Sequence, residues 1–386
     1  MSRFFPYVLG AAVLLLSGCL AKQPTPAVSA VQYEDVLLRL TEPLVFTFAG
    51  DIMAHRPNYN MQDYSRIYSD IEDELRLSHL NFANLEFVID PDREMSSYPT
   101  FNVHPEYVQA AIDAGFNVFS LANNHTADFG REGIAATAKS VSQLAASNYN
   151  PLAFSGIASE GFKLTIIPLE HYKIGFVAVT GILNNWTGSN LIQFTFYDST
   201  RTEFLEWLSE VHTSVDFMVV SYHDGVEYEI QPDYRKKRFM QQMIHAGADI
   251  VWGHHPHVLQ PVELIETQRE QQTVEGLLLY STGNFISSQT WFLEAGDYDT
   301  RRAYTGDSAL FRVCIERTES GLRVGSVDAT PITHYITDDY AVVVRRMKAL
   351  IDSNELDEDW LRYYKNRWQR MQPLLKTPQV TLAKQR

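Results

Sequence analysis

Six stretches of this chain run from an apolar segment straight into aspartate, asparagine or histidine, and that repetition narrows the folds open to it. Residues 44–49 (LVFTFA) lead to Gly50-Asp51, and residues 79–83 lead to Asn84-Leu85-Glu86. Residues 117–122 (NVFSLA) end at Asn123-Asn124-His125, and 217–222 (FMVVSY) at His223. Residues 249–252 (DIVW) end at Gly253-His254-His255, and 277–281 (LLLYS) at Thr282-Gly283-Asn284. A further apolar run, 174–180 (IGFVAVT), carries no such cluster. Near-continuous apolar runs of this length read as strands buried on both faces. Helical patterns fall between them at 105–114, 131–146, 202–211 and 234–246, the first opening on Pro105 and the last stopping at Gly247. Strand, polar loop, helix, strand predicts an α/β fold, in which ligands bind at the carboxyl ends of the strands.

The clusters point to metal chemistry. Imidazole nitrogens and carboxylate oxygens together suit Zn, Mn or Fe. Gly253-His254-His255-Pro256-His257 is the densest group, and Pro256 holds two imidazoles two positions apart on a turn. Two cations about 3.5–4 Å apart would clamp an anionic oxygen and activate a water. His79, His104, His171, His212 and His245 stand alone and are read as structural.

Composition sets the surroundings. Hydrophobic residues are 45% and aromatics 12%, enough for a sizeable core, while the net charge of −15 excludes a nucleic-acid surface. Any anion site therefore needs local positive charge, which a cation supplies. At the N-terminus, Arg3 precedes the apolar run 4–16 and then Leu16-Ser17-Gly18-Cys19, which resembles a bacterial lipobox. This predicts a signal peptide (1–18), acylated Cys19, a tether (19–40), a main domain (41–337) and a C-terminal helical segment and tail (338–386). The expected location is the bacterial cell envelope, lipid-anchored, with Leu20 after the cysteine favouring the outer membrane facing the periplasm. Cys314 is then unpaired, and its apolar run predicts a buried small side chain. The aromatic stripe Trp360, Tyr363, Tyr364, Trp368 and Met371 predicts C-terminal helices packed on the main domain.

Taken together, GDIM at 50–53, NLE at 84–86, SLANNHTADFG at 120–130, HDGVEY at 223–228, GADIVWGHHPHVLQPVE at 247–263 and YSTGNFI at 280–286 resemble the poly-γ-glutamate capsule biosynthesis (CapA) family, a branch of the calcineurin-like metallophosphoesterase fold. The resemblance covers about two thirds of the chain and implies a four-layer α/β/β/α sandwich of the metallophosphatase type. It also implies one or two divalent metal ions. Asp51 would hold one, Glu86 would bridge, Asn124 and His223 would hold the second, and His255 and His257 would each serve one of the pair. His254 is the alternative to His255, and His125 would be the catalytic acid. Met53 stands where the wider fold has histidine, which makes His55 a substitute candidate. Glu86 replaces the usual aspartate, and Asp224 replaces a common tryptophan; Asp224 and Glu227 are further candidates around the metals.

The expected function is a metal-dependent, hydrolase-like lipoprotein acting in synthesis, export or retention of poly-γ-glutamate or a similar anionic polymer. Capsule synthesis or export proteins and the membrane are its expected partners. A periplasmic phosphoesterase and a non-catalytic polymer-binding module are the alternatives.

Overall fold

The computed structural model describes residues 42–269, 272–319, 321–376 and 380–382. The signal peptide, Cys19 and the tether lie outside the described residues. One sheet contains β1 (Leu44–Ile52), β2 (Leu80–Leu85), β5 (Val118–Ser120), β6 (Ala153–Ser155), β13 (Asn284–Ile286), β14 (Asp307–Thr318), β15 (Gly321–Ile336) and β16 (Val342–Arg346). Its order is β16-β15-β14-β1-β2-β5-β6, with β13 beside the end of β1. A second sheet contains β7 (Thr165–Leu169), β8 (Tyr172–Thr180), β9 (Phe217–His223), β10 (Ile250–His254), β11 (Val262–Arg269), β12 (Gln272–Leu279) and β17 (Val380–Leu382). It runs β17-β11-β12-β10-β9-β8-β7. Strands β3 (Val88–Ile89) and β4 (Asn102–Val103) form a separate parallel pair.

Three apolar cores lie on the faces of the two sheets, consistent with an α/β sandwich. Phe46, Phe48 and Phe82 of the first sheet meet Phe176, Phe217 and Trp252 of the second in one buried cluster. The opposite face of the first sheet, with Ala83 and Phe119, packs on α1 (Pro105–Asp113) and α2 (Gly130–Ser147) through Tyr107, Val108, Val141 and Leu144. The opposite face of the second, with Val177, Val220 and Val251, packs on α3 (Asp198–Val211) and α4 (Tyr234–His245) through Phe204, Leu208, Met240 and Met243. Each sheet is thus apolar on both faces, which is why its strands read as continuous runs rather than alternating ones.

Local chemistry places the ends. Pro105 occupies the first turn of α1, and Gly115 beyond it adopts φ +119°. The Asp233 carboxylate caps α4 by accepting from the Arg235 and Lys236 amides. Helix α3 begins at Asp198, earlier than the pattern at 202 implies, because no apolar residue marks its first turn. Strand β1 extends through Ile52, so Asp51 lies inside the strand and not after it; Asn84 of β2 and Asn284 of β13 flank it in register. Cys314 corrects the expected burial: it is half-exposed, because alternation along β14 turns its neighbours Val313 and Ile315 into the core and not Cys314.

Beyond residue 337 the chain supplies β16, a short helix Met347–Asp352 and α5 (Glu358–Met371). Leu350, Tyr363, Tyr364 and Met371 join the core between the sheets, so the aromatic stripe packs. Among the described residues, no helix is long and apolar enough to cross a membrane.

Candidate metal centre

The two sheets touch where their parallel strands end. Trp252 Nε1 of β10 donates to the Ala49 carbonyl of β1 at 2.9 Å, and Thr282 Oγ1 donates to the same oxygen at 3.0 Å. Gly50 and Gly253 allow close approaches to the neighbouring backbone at the end of their own sheets. A Cβ on Gly50 would stand 2.0 Å from the Gly283 carbonyl oxygen, and one on Gly253 2.2 Å from that of Tyr280. The polar clusters after these strands therefore arrive at one place.

There the expected residues converge. His257 Nδ1 is 3.2 Å from Asp51 Oδ2, and His257 Nε2 is 3.6 Å from Glu86 Oε1. His223 Nε2 is 3.8 Å from the same Glu86 oxygen and 2.8 Å from Asn124 Oδ1. Two donor triads result, Asp51-Glu86-His257 and Glu86-His223-His255, each with its donor atoms within 4.8 Å of one another. All five residues are buried, and Glu86 belongs to both triads. A third group, Glu227-His255-His257, places the exposed Glu227 at the rim.

Burial and charge act together here. Burial alone would push Asp51 up, but His254 and His257 overcome it and hold the carboxyl well below its usual range. Burial, and then the Asp51 carboxylate, push Glu86 well above its usual range. Burial lowers His223 and His255, and neighbouring imidazoles add to the effect, so both present neutral rings. Burial also opposes protonation of His257, yet Glu86 and Asp51 win and raise it to about 9. The same excess of negative charge favours a cation. Glu86 Oε1 and His255 Nδ1, both from triad residues, are buried without hydrogen-bond partners. Unpaired buried donors of this kind are costly, and a divalent ion satisfies them. The donor set therefore fits a metal.

The remaining expected residues take distinct places. His254 Nδ1 lies 2.9 Å from Asp51 Oδ1, outside both triads, with its ring edge-on to Trp252. His125 sits within the loop between β5 and α2, its Nδ1 2.7 Å from Asp128 Oδ2. Asp128 also accepts from the Phe101 amide at 2.7 Å, which fixes the carboxylate and through it the ring. His55 stands apart from the triads; the Ser288 amide approaches its Nδ1 at 3.3 Å and Phe101 packs against its ring. Asp224 turns away from the donors toward the Tyr222 hydroxyl and Arg201, and accepts from the Gly225 amide at 2.8 Å.

Residues without an expected role also shape the site. Asn84 Nδ2 donates to Asp51 Oδ1 at 2.9 Å and Glu86 Oε2 at 3.3 Å, tying the two carboxylates together. Asn284 Oδ1 is 3.0 Å from His257 Nδ1. Asn84 is two positions before Glu86, which directly follows β2, and that spacing is its readable signal. His255 and His257 hold φ of +88° and +57° around Pro256. Such conformations cost on the order of 1–3 kcal/mol and persist where surroundings over-determine them.

One such support is Lys236, which is buried and donates from Nζ to the His254 carbonyl at 2.8 Å. Burial pushes this amine from 10.5 down to about 7. The unfolded chain then binds the extra proton between about pH 7 and 10.5, so this group makes stability rise with pH across that window. Lys236→Met should flatten the rise, measured as unfolding free energy against pH for both proteins. Parallel curves would show that the amine is not desolvated.

The fold and its cluster of buried acids, amides and imidazoles define an α/β protein with a candidate metal centre at the sheet ends. The family described as "Bacterial capsule synthesis protein PGA_cap" matches residues 45–289, and the chain belongs to it. It is 29% identical over 307 residues to a capsule biosynthesis protein CapA of Bacillus anthracis, covering 75% of this chain and 69% of that protein. It is 27% identical over 331 residues to a PGA biosynthesis protein CapA of Bacillus subtilis (strain 168), covering 81% and 75%. A probable polyglutamine synthesis accessory protein of Mycobacterium tuberculosis is 25% identical over 280 residues, covering 62% and 73%.

Proposed function

We propose that this chain is a metal-binding, envelope-tethered protein acting in synthesis, export or retention of poly-γ-glutamate or a similar anionic polymer. Membership of the capsule synthesis family and the printed roles of its Bacillus relatives support the polymer. The lipobox-like run ending at Cys19 supports the tether. The observation that carries the metal reading is the single Glu86 oxygen facing both His223 and His257.

Asp51, Glu86 and His257 would hold one ion, and Glu86, His223 and His255 a second, with Asn124 beside His223. A bound divalent ion supplies Lewis acidity toward an anionic oxygen. The chain's own residues do the rest. Asn84 keeps the two carboxylates aligned. Asp128 holds His125 by Nδ1, which leaves Nε2 to give or take a proton at a leaving group. The same His125–Asp128 pair favours a second reading, a phosphoesterase, because pure binding needs no oriented acid.

The test is elemental analysis of the full chain beside His255→Ala and His257→Ala, followed by turnover assays. Metal near one or two equivalents should fall by at least one in each variant. Unchanged metal in both would end the metal reading. Metal-dependent cleavage of small phosphoesters with no effect on polyglutamate would select the phosphoesterase.

A further inference from the structure

A cavity of about 950 Å³ opens on the side of the centre marked by His55, and no residue of the two triads lines it. It lies near the upper end of the roughly 300–1,000 Å³ range of small-molecule pockets. One segment joins it to the donors. Asn284 meets His257, Ser288 meets His55, and Trp291 and Phe292 form part of the cavity wall. His55 completes the link on the other side, since its ring packs on Phe101, which packs on His125.

The lining has a definite chemistry. Phe292 and Tyr340 are 80% and 73% exposed, and Tyr340 lies beside Trp291. Arg66 is held by Asp339 through two hydrogen bonds. Asp63 accepts from the Ser65 amide and hydroxyl. Arg56 differs: among the described residues no carboxylate pairs with its guanidinium, and the side chain is exposed. In a chain of net charge −15, an uncommitted guanidinium beside the candidate centre is the available carboxylate receptor. A second cavity of about 390 Å³ makes the contrast, because Asp338, Glu355 and Asp357 line it with no lysine or arginine.

We propose that the larger cavity is the cleft for the flanking residues of an anionic polyamide. Arg56 takes a free pendant carboxylate, and Trp291, Phe292 and Tyr340 cover the methylene and amide stretches. This rests on the polymer reading above and adds where the chain lies and which residues select it.

The test is fluorescence anisotropy of a labelled γ-linked oligoglutamate on the full, Mn²⁺-loaded chain at low ionic strength. Arg56→Glu should weaken binding about tenfold or more, and Phe292→Ala about threefold, with metal content unchanged. Wild-type binding with both variants equal to it overturns the cleft and leaves the polymer reading standing. No binding by the loaded wild type overturns both. Displacement by free glutamate at matched residue concentration also overturns the cleft, because a multi-residue groove favours the chain.

Discussion

Glu86→Gln should abolish binding at both proposed ion positions at once, whereas His223→Ala should remove only the one on its own side. The substitution keeps shape and removes charge from the one oxygen that faces both His223 and His257. Substitutions outside a metal's immediate ligands cost about 10–100-fold in affinity, so loss of a shared carboxylate should exceed about 100-fold. Titration with Mn²⁺ or Zn²⁺ followed by calorimetry measures it. A second signature separates a functional carboxylate from a structural one. Glu86 is buried and sits against Asp51, and burial with that repulsion pushes it well above the usual carboxylate range. In chelator, Glu86→Gln should therefore be at least as stable as wild type. Wild-type metal affinity in the variant would dismiss the shared-ligand arrangement, and a large loss of stability in chelator would recast Glu86 as structural.

Arg367→Ala should destabilise the protein by about 3–5 kcal/mol, because it leaves a buried carboxylate without its counter-charge. Arg367 and Asp307 are each 1% exposed. Arg367 Nε donates to Asp307 Oδ1 at 3.0 Å, and Nη1 donates to the Tyr298 carbonyl at 2.8 Å. Arg370 also reaches Asp307, at 3.1 Å, but from a side chain 20% exposed, so Arg370→Ala should cost less. The pair fastens α5 to the start of β14, and the Asp307 carbonyl lies against the Gly283 turn behind Asp51. Urea denaturation measures the loss. The double variant Arg367→Met with Asp307→Leu should recover most of it, since two apolar groups carry no desolvation cost. A single-variant loss under about 1 kcal/mol would mean that the buried charge is compensated elsewhere.

Much of this was legible in the chain. Apolar runs ending in polar clusters gave the parallel strands, because a strand covered on both faces is apolar along most of its length. Glycines and prolines marked helix ends where backbone geometry demanded them. The cluster Gly253–His257 announced itself through local density. Other features left no local trace. The start of α3 lacks an apolar signal, and Cys314 sits in an apolar run yet faces outward through strand alternation. Asp128 matters only because His125 and Phe101 both reach it.

Residue order alone determined which side chains stand at strand ends, since that follows from periodicity and from where apolar runs stop. Only the tertiary structure decided that Glu86 would face two histidine groups while Asp224 and His55 turned elsewhere. Those outcomes depend on distances between segments more than a hundred residues apart, and on a tie between the sheets in which Trp252 of one donates to the Ala49 carbonyl of the other. Periodicity reports which face a residue takes, but the separation of two faces is set by the packing between them.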